Sequence, residues 1–234
     1  EERHSALVSR CLAVDLEVDP STARVFAMVA VRHDDRSVLN TRGEPTAGQL
    51  DDLEAAIGDV DHPIGHNFLS HDMEHLIAAR PRLALVMDAP IDTLWLNPLA
   101  FPRNPYHHLV KHYQVGHLAK GHVNDPELDA RLVFEVLANQ LDAFATLKKA
   151  QPDALAAYHY LTTRMERAAG FDAVFAYVRA APCPNENEVH AGLHRMLAGK
   201  ACQKRIDQTL GRLSNPRNGW AMAYALSWIT VAGG

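Results

Sequence analysis

Cysteine is scarce. The 234 residues hold three, Cys11, Cys183 and Cys202, odd in number and far apart. That pattern excludes a disulfide framework and points to reduced thiols in a cytoplasmic chain. No apolar run reaches the roughly 18 residues that a membrane-spanning helix needs. The opening Glu1-Glu2-Arg3-His4 lacks the basic-then-apolar order of a secretory signal. Positive charge is not in surplus either: 23 Lys and Arg face 28 Asp and Glu, for a net charge of -5. This balance excludes a grip on nucleic acid by bulk charge and leaves room only for a local basic groove. Internal repeats, low-complexity tracts, HExxH and Cys-x-x-Cys patterns are all absent.

What is present is ordinary globular material, 47% apolar and 22% charged, in a length that suits one large domain or two modest ones. Histidine stands out with 14 copies, so proton transfer and metal ligation both need examination.

The first half alternates strand and helix signals. Arg10 to Val18 (RCLAVDLEV) and Arg24 to Arg32 (RVFAMVAVR) are expected strands, joined by the turn residues Asp19-Pro20-Ser21-Thr22. A short third strand follows at Ser37 to Asn40 and completes an antiparallel meander. Thr46 opens a helix through Ile57, with Leu50, Leu53, Ala56 and Ile57 on one face. Pro63 to Asn67 is a short strand leading into a helix from about Ser70 to Arg80. Leu83 to Met87 and Ile91 to Leu94 together suggest a final strand. Asp125 as N-cap and Pro126 at the first helical position begin a long amphipathic helix to Lys149.

After Gln151-Pro152 only helical periodicity remains, broken at Ala181-Pro182-Cys183-Pro184-Asn185. The expected division is an α/β domain over residues 1–150 and a helical connector over 151–234. The apolar stretch Trp220 to Ala232 has two readings, the edge of a longer protein or a final core helix with a glycine C-cap. Lys200, Lys204, Arg205, Arg212 and Arg217 form a solvated face, with guidance of nucleic acid as the second reading. Cys183 and Cys202 are expected to be packing residues.

The chemistry begins on the first strand. Residues two apart on a strand share a face, so Asp15 and Glu17 set two carboxylates side by side on an otherwise apolar segment. Buried carboxylates so placed call for a cation or a basic partner, and an all-oxygen pair suits a hard divalent ion. Taken alone, the pair also reads as solvated acids at a strand end. Asp72 follows in Gly65-His66-Asn67-Phe68-Leu69-Ser70-His71-Asp72, at a strand-to-helix junction. Asp129 lies one turn into the long helix, in Asn124-Asp125-Pro126-Glu127-Leu128-Asp129, with Asp92-Thr93-Leu94 between the two segments.

In order and context these segments resemble the DEDD exonuclease superfamily, over roughly residues 8 to 145. Asp15 and Glu17 match its D-x-E motif, His66, Asn67 and Asp72 its second motif, and Asp129 its last. The resemblance implies an RNase H-like mixed five-stranded sheet flanked by helices, in the DnaQ-like version. It also implies two Mg²⁺ or Mn²⁺ ions held by Asp15, Glu17, Asp72 and Asp129, and 3′–5′ hydrolysis of phosphodiester bonds in single-stranded or frayed DNA. RNA stays open, because such a site reads phosphate rather than sugar. The string Asn97 to Lys111, with Asn124-Asp125-Pro126 after it, resembles exonuclease-type regions ahead of RecQ-like helicase domains in some bacterial proteins. A covalently linked helicase domain and a role in DNA repair are the corresponding expectations.

The sequence departs from the family at the general base. The histidine branch has His five residues before the last Asp, where this chain has Asn124. The other branch has Tyr four before, where it has Asp125. His122, in Lys120-Gly121-His122-Val123, is the candidate replacement. Three readings stand: His122 acts as the base, metal-bound hydroxide works without one at reduced rate, or the domain is a weak or inactive module that binds nucleic acid or a partner. Arg103, His107, His108 and Lys111 form a locally basic stretch suited to a phosphate backbone, with His66, Asn67 and Asn124 beside it. His108 and His112 could share a helix face as zinc ligands, but solvated or phosphate-facing roles fit them better. Phe68, Leu69, Phe101 and Tyr106 can stack on a base or pack in a core.

Overall fold

A computed structural model describes residues 4–34, 36–104, 107, 126–199, 202–211 and 219–232. The chain divides into two compact units, residues 1–95 with 106–138 and residues 96–105 with 139–234.

The first unit is α/β. Its strands are β1 (Cys11–Val18), β2 (Val25–Arg32), β3 (Ser37–Arg42), β4 (His62–Gly65) and β5 (Ile91–Asp92). They form one mixed sheet in the order β3-β2-β1-β4-β5. The first three make the expected antiparallel meander, and β4 and β5 add on parallel. Asp19 closes the β1–β2 turn by accepting from the Ser21 and Thr22 amides at 2.8 and 3.3 Å, the short-range bonding that favours Asp in turns.

A short helix, α1 (Ser5–Val8), precedes the sheet, and α2 (Ala47–Gly58) follows β3. Thr46 starts α2 with a complete capping box: its side chain accepts from the Gln49 amide while the Gln49 side chain accepts from the Thr46 amide. Leu50, Leu53, Ala56 and Ile57 of α2 join Leu12, Val14, Leu16, Met28 and Ala30 of the sheet in one buried core. Leu12, Val14 and Leu16 therefore face this core, and Asp15 and Glu17 stand on the opposite face.

Two expectations need correction. The helix from Ser70 to Arg80 opens as a π-helical turn, Phe68–Asp72, before α3 (Met73–Ala79). The expected strand at Leu83 to Met87 is a 3₁₀ turn, Pro81–Leu85. Pro81 presets a helical φ there, and Leu83 and Met87 are buried while Leu85 between them is exposed, whereas a strand would turn all three to one face. The final strand shrinks to Ile91–Asp92, and α4 (Thr93–Ala100) begins at once.

The long helix α5 (Pro126–Ala150) begins at Pro126 as expected; its expected N-cap, Asp125, lies outside the described residues. Among the described residues the remainder is helical, as anticipated: α6 (Pro152–Thr162), α7 (Ala169–Arg179), α8 (Glu186–Leu197), α9 (Gln203–Leu210) and α10 (Gly219–Ala232). Phe144, Leu155, Tyr158, Phe171 and Phe175 are buried in the second unit. Gly219 lets α10 approach α6, because a Cβ there would collide with the Leu161 carbonyl. Lys204 and Arg205 are exposed, in keeping with a solvated face. Cys183 and Cys202 are exposed rather than packed, and Cys11 is buried, which pushes its thiol up to about 12. No described helix is long and apolar enough to cross a membrane.

His62 supplies a pH test of the first unit. Its ring is buried in β4 with Nδ1 3.0 Å from the Ala89 carbonyl, so Nδ1–H donates, and Nε2 meets no partner among the described residues. Burial, followed by the nearby Arg10 charge, outweighs that bond and holds the ring below the ordinary imidazole pKa. The unfolded ring gains its proton near pH 6.5 while the folded ring resists it. Stability from this group is therefore present above that pH and lost as pH falls below it. The urea midpoint is expected to drop between pH 7.5 and 5.5, and the drop should shrink in His62→Gln. An equal drop in both proteins would show that His62 is not responsible.

Candidate active site: an acidic cluster at the end of the first strand

The cluster is built where two strands of unequal length meet. β1 runs to Val18, but its parallel neighbour β4 pairs only with Cys11 to Ala13 and ends at Gly65. The β4-side edge of β1 is thus uncovered beyond Ala13, and a buried backbone donor there needs an acceptor. Asp72 supplies it. The π-helical turn brings its Oδ1 to 3.1 Å from the Leu16 amide, between Asp15 and Glu17 on the same strand. Asp72 is only 3% exposed.

Gly65 makes the approach feasible. A Cβ at this position would come within 2.9 Å of the Phe68 Cβ and 3.1 Å of the Val14 carbonyl, tighter than packing allows. Of the two roles read for Phe68, stacking on a base or packing, its full burial fits packing.

The turn is held from behind by Asp92, which is fully buried on β5. Its carboxylate accepts from the amides of Asn67 (3.1 Å) and Leu69 (2.9 Å), and also from Leu94 (2.9 Å) and Trp95 (3.4 Å) at the start of α4. One side chain therefore caps α4 and fixes the loop that carries Asp72. Asn67 has φ of 70°, a left-handed geometry that Asn tolerates better than most residues. Burial raises the Asp92 pKa to about 6, against the pull of its four amide donors. His66 is tied in as well. Thr93 Oγ1 donates to the Gly65 carbonyl at 3.1 Å, so it accepts from His66 Nδ1–H at 2.9 Å.

His71, which the sequence reading passed over, belongs to this cluster. Its Nδ1 lies 3.7 Å from Asp72 Oδ1. Interaction with Asp72 raises its pKa above the ordinary imidazole value, and the charges of Asp15 and Glu17 push the same way. The His75 ring packs edge-on against it at 5.0 Å. Asp72 itself is pushed up by burial, against the opposing effect of His71. The signal for His71 in the sequence was only its adjacency to Asp72.

Asp129 arrives from α5. Asp15 pairs with Val29, and Val29 with Asn40, so these three residues form one row on the face opposite the apolar core. Asn40 Nδ2 donates to Glu127 Oε2 at 2.7 Å, which sets the first turn of α5 over that row. Asp129 is half-buried there, with its Oδ1 out of solvent. The structure thus gathers Asp15, Glu17 and Asp72 at one strand end and puts the helix carrying Asp129 on the acidic face. Their oxygens do not form a trio lying within 4.8 Å; among the described residues the trio that meets this measure is in the other unit.

The remaining expected site residues divide three ways. His107 is half-buried in the first unit. Arg103 is exposed in the second unit, where its guanidinium donates to the Val231 carbonyl at 2.8 Å. His108, Lys111, His122 and Asn124 lie outside the described residues, as do Tyr106 and His112.

No family model matches the chain, and no curated protein or solved structure matches it.

Proposed function

We propose that the first unit is an RNase H-like, DnaQ-like 3′–5′ exonuclease domain that hydrolyses phosphodiester bonds at single-stranded or frayed DNA ends. The observation that carries this reading is the bond from the Leu16 amide to Asp72. It brings the acid of the second sequence motif between the two acids of the first, across 56 residues of chain. The order β3-β2-β1-β4-β5, with acids on the central β1, supports the same reading.

The donor set fits a hard divalent cation. All four groups are carboxylates, the choice of Mg²⁺ and Mn²⁺, and Asp72 is buried beside two further acids, where a cation offsets the cost of its charge. Asp15, Glu17, Asp72 and Asp129 would hold two ions, which supply an activated water and charge stabilisation at the leaving oxygen. The chain's own contribution is position. The register of β1 fixes Asp15 and Glu17, the Leu16 amide fixes one oxygen of Asp72, and the Asp92 clasp fixes the loop behind it. The net charge of -5 is compatible with a polyanionic substrate, since part of it is the proposed metal site. A linked helicase domain belongs to the same proposal.

The test is release of label from a 3′-labelled single-stranded oligonucleotide by the full chain, with Mg²⁺ or Mn²⁺. Release is expected, stepwise from the 3′ end, and absent in Asp15→Ala. Release that persists in Asp15→Ala rejects the mechanism. Binding of the oligonucleotide without cleavage under either metal replaces it with a non-cleaving, nucleic-acid-binding module.

A further inference from the structure

The helical unit carries a second group of ligating side chains, which the proposed hydrolysis does not use. His159 lies in the body of α6, Asp172 in the first turn of α7, and Cys183 in the breaker between α7 and α8. One nitrogen of His159, a carboxylate oxygen of Asp172 and the Cys183 Sγ all lie within 4.8 Å of one another, and among the described residues no other trio of His, Cys, Asp or Glu does so. Three separate segments contribute, so the grouping is a product of the fold and not of local spacing.

The His159 side chain has no solvent exposure and rests against the Phe175 ring at 5.9 Å. Its neighbours define its tautomer. Arg179 Nη1 lies 2.8 Å from Nδ1, and a guanidinium only donates, so Nδ1 carries the lone pair. Nε2–H then donates to Asp172 Oδ1 at 2.7 Å. Asp172 is half exposed. Cys183 is open to solvent, with its Sγ 3.3 Å from Thr163 Oγ1.

We propose that His159, Asp172 and Cys183 form a binding site for a transition-metal ion of the Zn²⁺ class, separate from the acidic cluster. One sulfur, one imidazole nitrogen and one carboxylate oxygen make the mixed donor set that Zn²⁺ accepts, and three protein ligands leave a fourth position for water. Magnesium and calcium take oxygen ligands and do not select a thiolate.

The proton balance is defined. The Cys183 thiol releases its proton to solvent on ligation. The half-exposed Asp172 carboxylate passes the imidazole proton from Nε2 to solvent, and Nδ1 takes one up in exchange, freeing Nε2 for the ion. Arg179 then gives up Nδ1 and keeps its other bond, to the Pro182 carbonyl at 2.7 Å. One proton leaves per ion bound. Arg179 is consequently a competitor of the ion: it holds the tautomer that the ion must displace.

Co²⁺ is the probe, titrated into the reduced, metal-stripped full chain. The expected result is a near-ultraviolet thiolate-to-cobalt band with visible bands of tetrahedral intensity, saturating at one equivalent and abolished by Zn²⁺. Cys183→Ser should remove the near-ultraviolet band, while Cys202→Ser leaves it unchanged. Asp172→Asn should weaken binding by on the order of tenfold or more, and Arg179→Gln should tighten it. Cys183 and Asp172 reach solvent, so these variants are expected to fold, which far-ultraviolet circular dichroism checks. Absence of the thiolate band, or its persistence in Cys183→Ser, overturns the site. Weaker binding in Arg179→Gln overturns the tautomer competition. None of these readouts depends on nuclease activity.

Discussion

If the proposed nuclease reading holds, replacing Asp72 by Asn is expected to suppress hydrolysis without unfolding the protein, separating the proposed chemical role of this carboxylate from its structural one. The structural role is acceptance of the Leu16 amide at 3.1 Å, and the amide oxygen of Asn can take it over. What Asn lacks is the charge. In the folded chain that charge is costly, because Asp72 is 3% exposed and burial raises its pKa. An aspartate raised in this way binds its proton more tightly folded than unfolded. Its contribution to stability is greatest at low pH and is lost as pH rises through the folded pKa. Near neutrality and without divalent metal, Asp72→Asn should therefore match or exceed the wild-type urea midpoint. Release of 3′ label should fall by on the order of 10²-fold or more, the scale on which loss of one charge-stabilising group acts.

Metal-dependent stability gives a second readout. An ion that binds only the native state raises stability in proportion to the logarithm of its concentration over Kd. Wild-type protein should gain thermal stability with Mn²⁺ and the Asn variant should gain far less. A wild-type cleavage rate in Asp72→Asn would reject its role in the site. A loss of several kcal/mol in the unfolding free energy from urea titration would show that the carboxylate is a structural group instead.

The parts of this site that were legible in the sequence are those governed by local periodicity. Asp15 and Glu17 share a face because strand side chains alternate, and the core on the other face uses Leu12, Val14 and Leu16 in the complementary phase. Thr46 announced α2 because a capping box spans only four residues. The strand β5 was legible only in part: it falls within the expected Ile91 to Leu94, but its length was overdrawn, since it has two residues and pairs with β4 only at Ile64–Ile91 and Gly65–Asp92. His71 was missed because the strand acids that act on it lie more than 50 positions away in the chain. The His159–Asp172 bond joins two helices, and neither helix's periodicity distinguishes a buried His with a partner from an error in the apolar face. Family likeness supplied the grouping of the acids, whereas the edge of β1 that Asp72 covers became visible only once β4 was seen to stop at Gly65.

That edge depends on a residue the sequence reading left without a role. Asp92→Ala is expected to be the most destabilising single change near the site, at roughly 3 kcal/mol. Loss of a helix N-cap costs about 1 kcal/mol, and each buried donor left without its acceptor costs about 1 kcal/mol or more. Asp92 serves both functions, toward Leu94 and Trp95 at the start of α4 and toward Asn67 and Leu69 in the loop. Its own burial works against it. With a pKa raised to about 6, ionised Asp92 is costly, so wild-type stability should decline as pH rises from about 4 to 6, and Asp92→Ala should lack that slope. The variant should also lose amide protection at Asn67, Leu69 and Leu94 before the rest of the sheet opens, because all three donate to the same carboxylate. Asp92→Asn keeps one acceptor oxygen but turns an NH₂ toward backbone donors, so it should fall between wild type and Ala. An unfolding free energy for Asp92→Ala within about 1 kcal/mol of wild type, with protection of those three amides unchanged, would falsify the clasp. Asp72 would then have to be held against β1 by its bond to the Leu16 amide and the packing of Phe68.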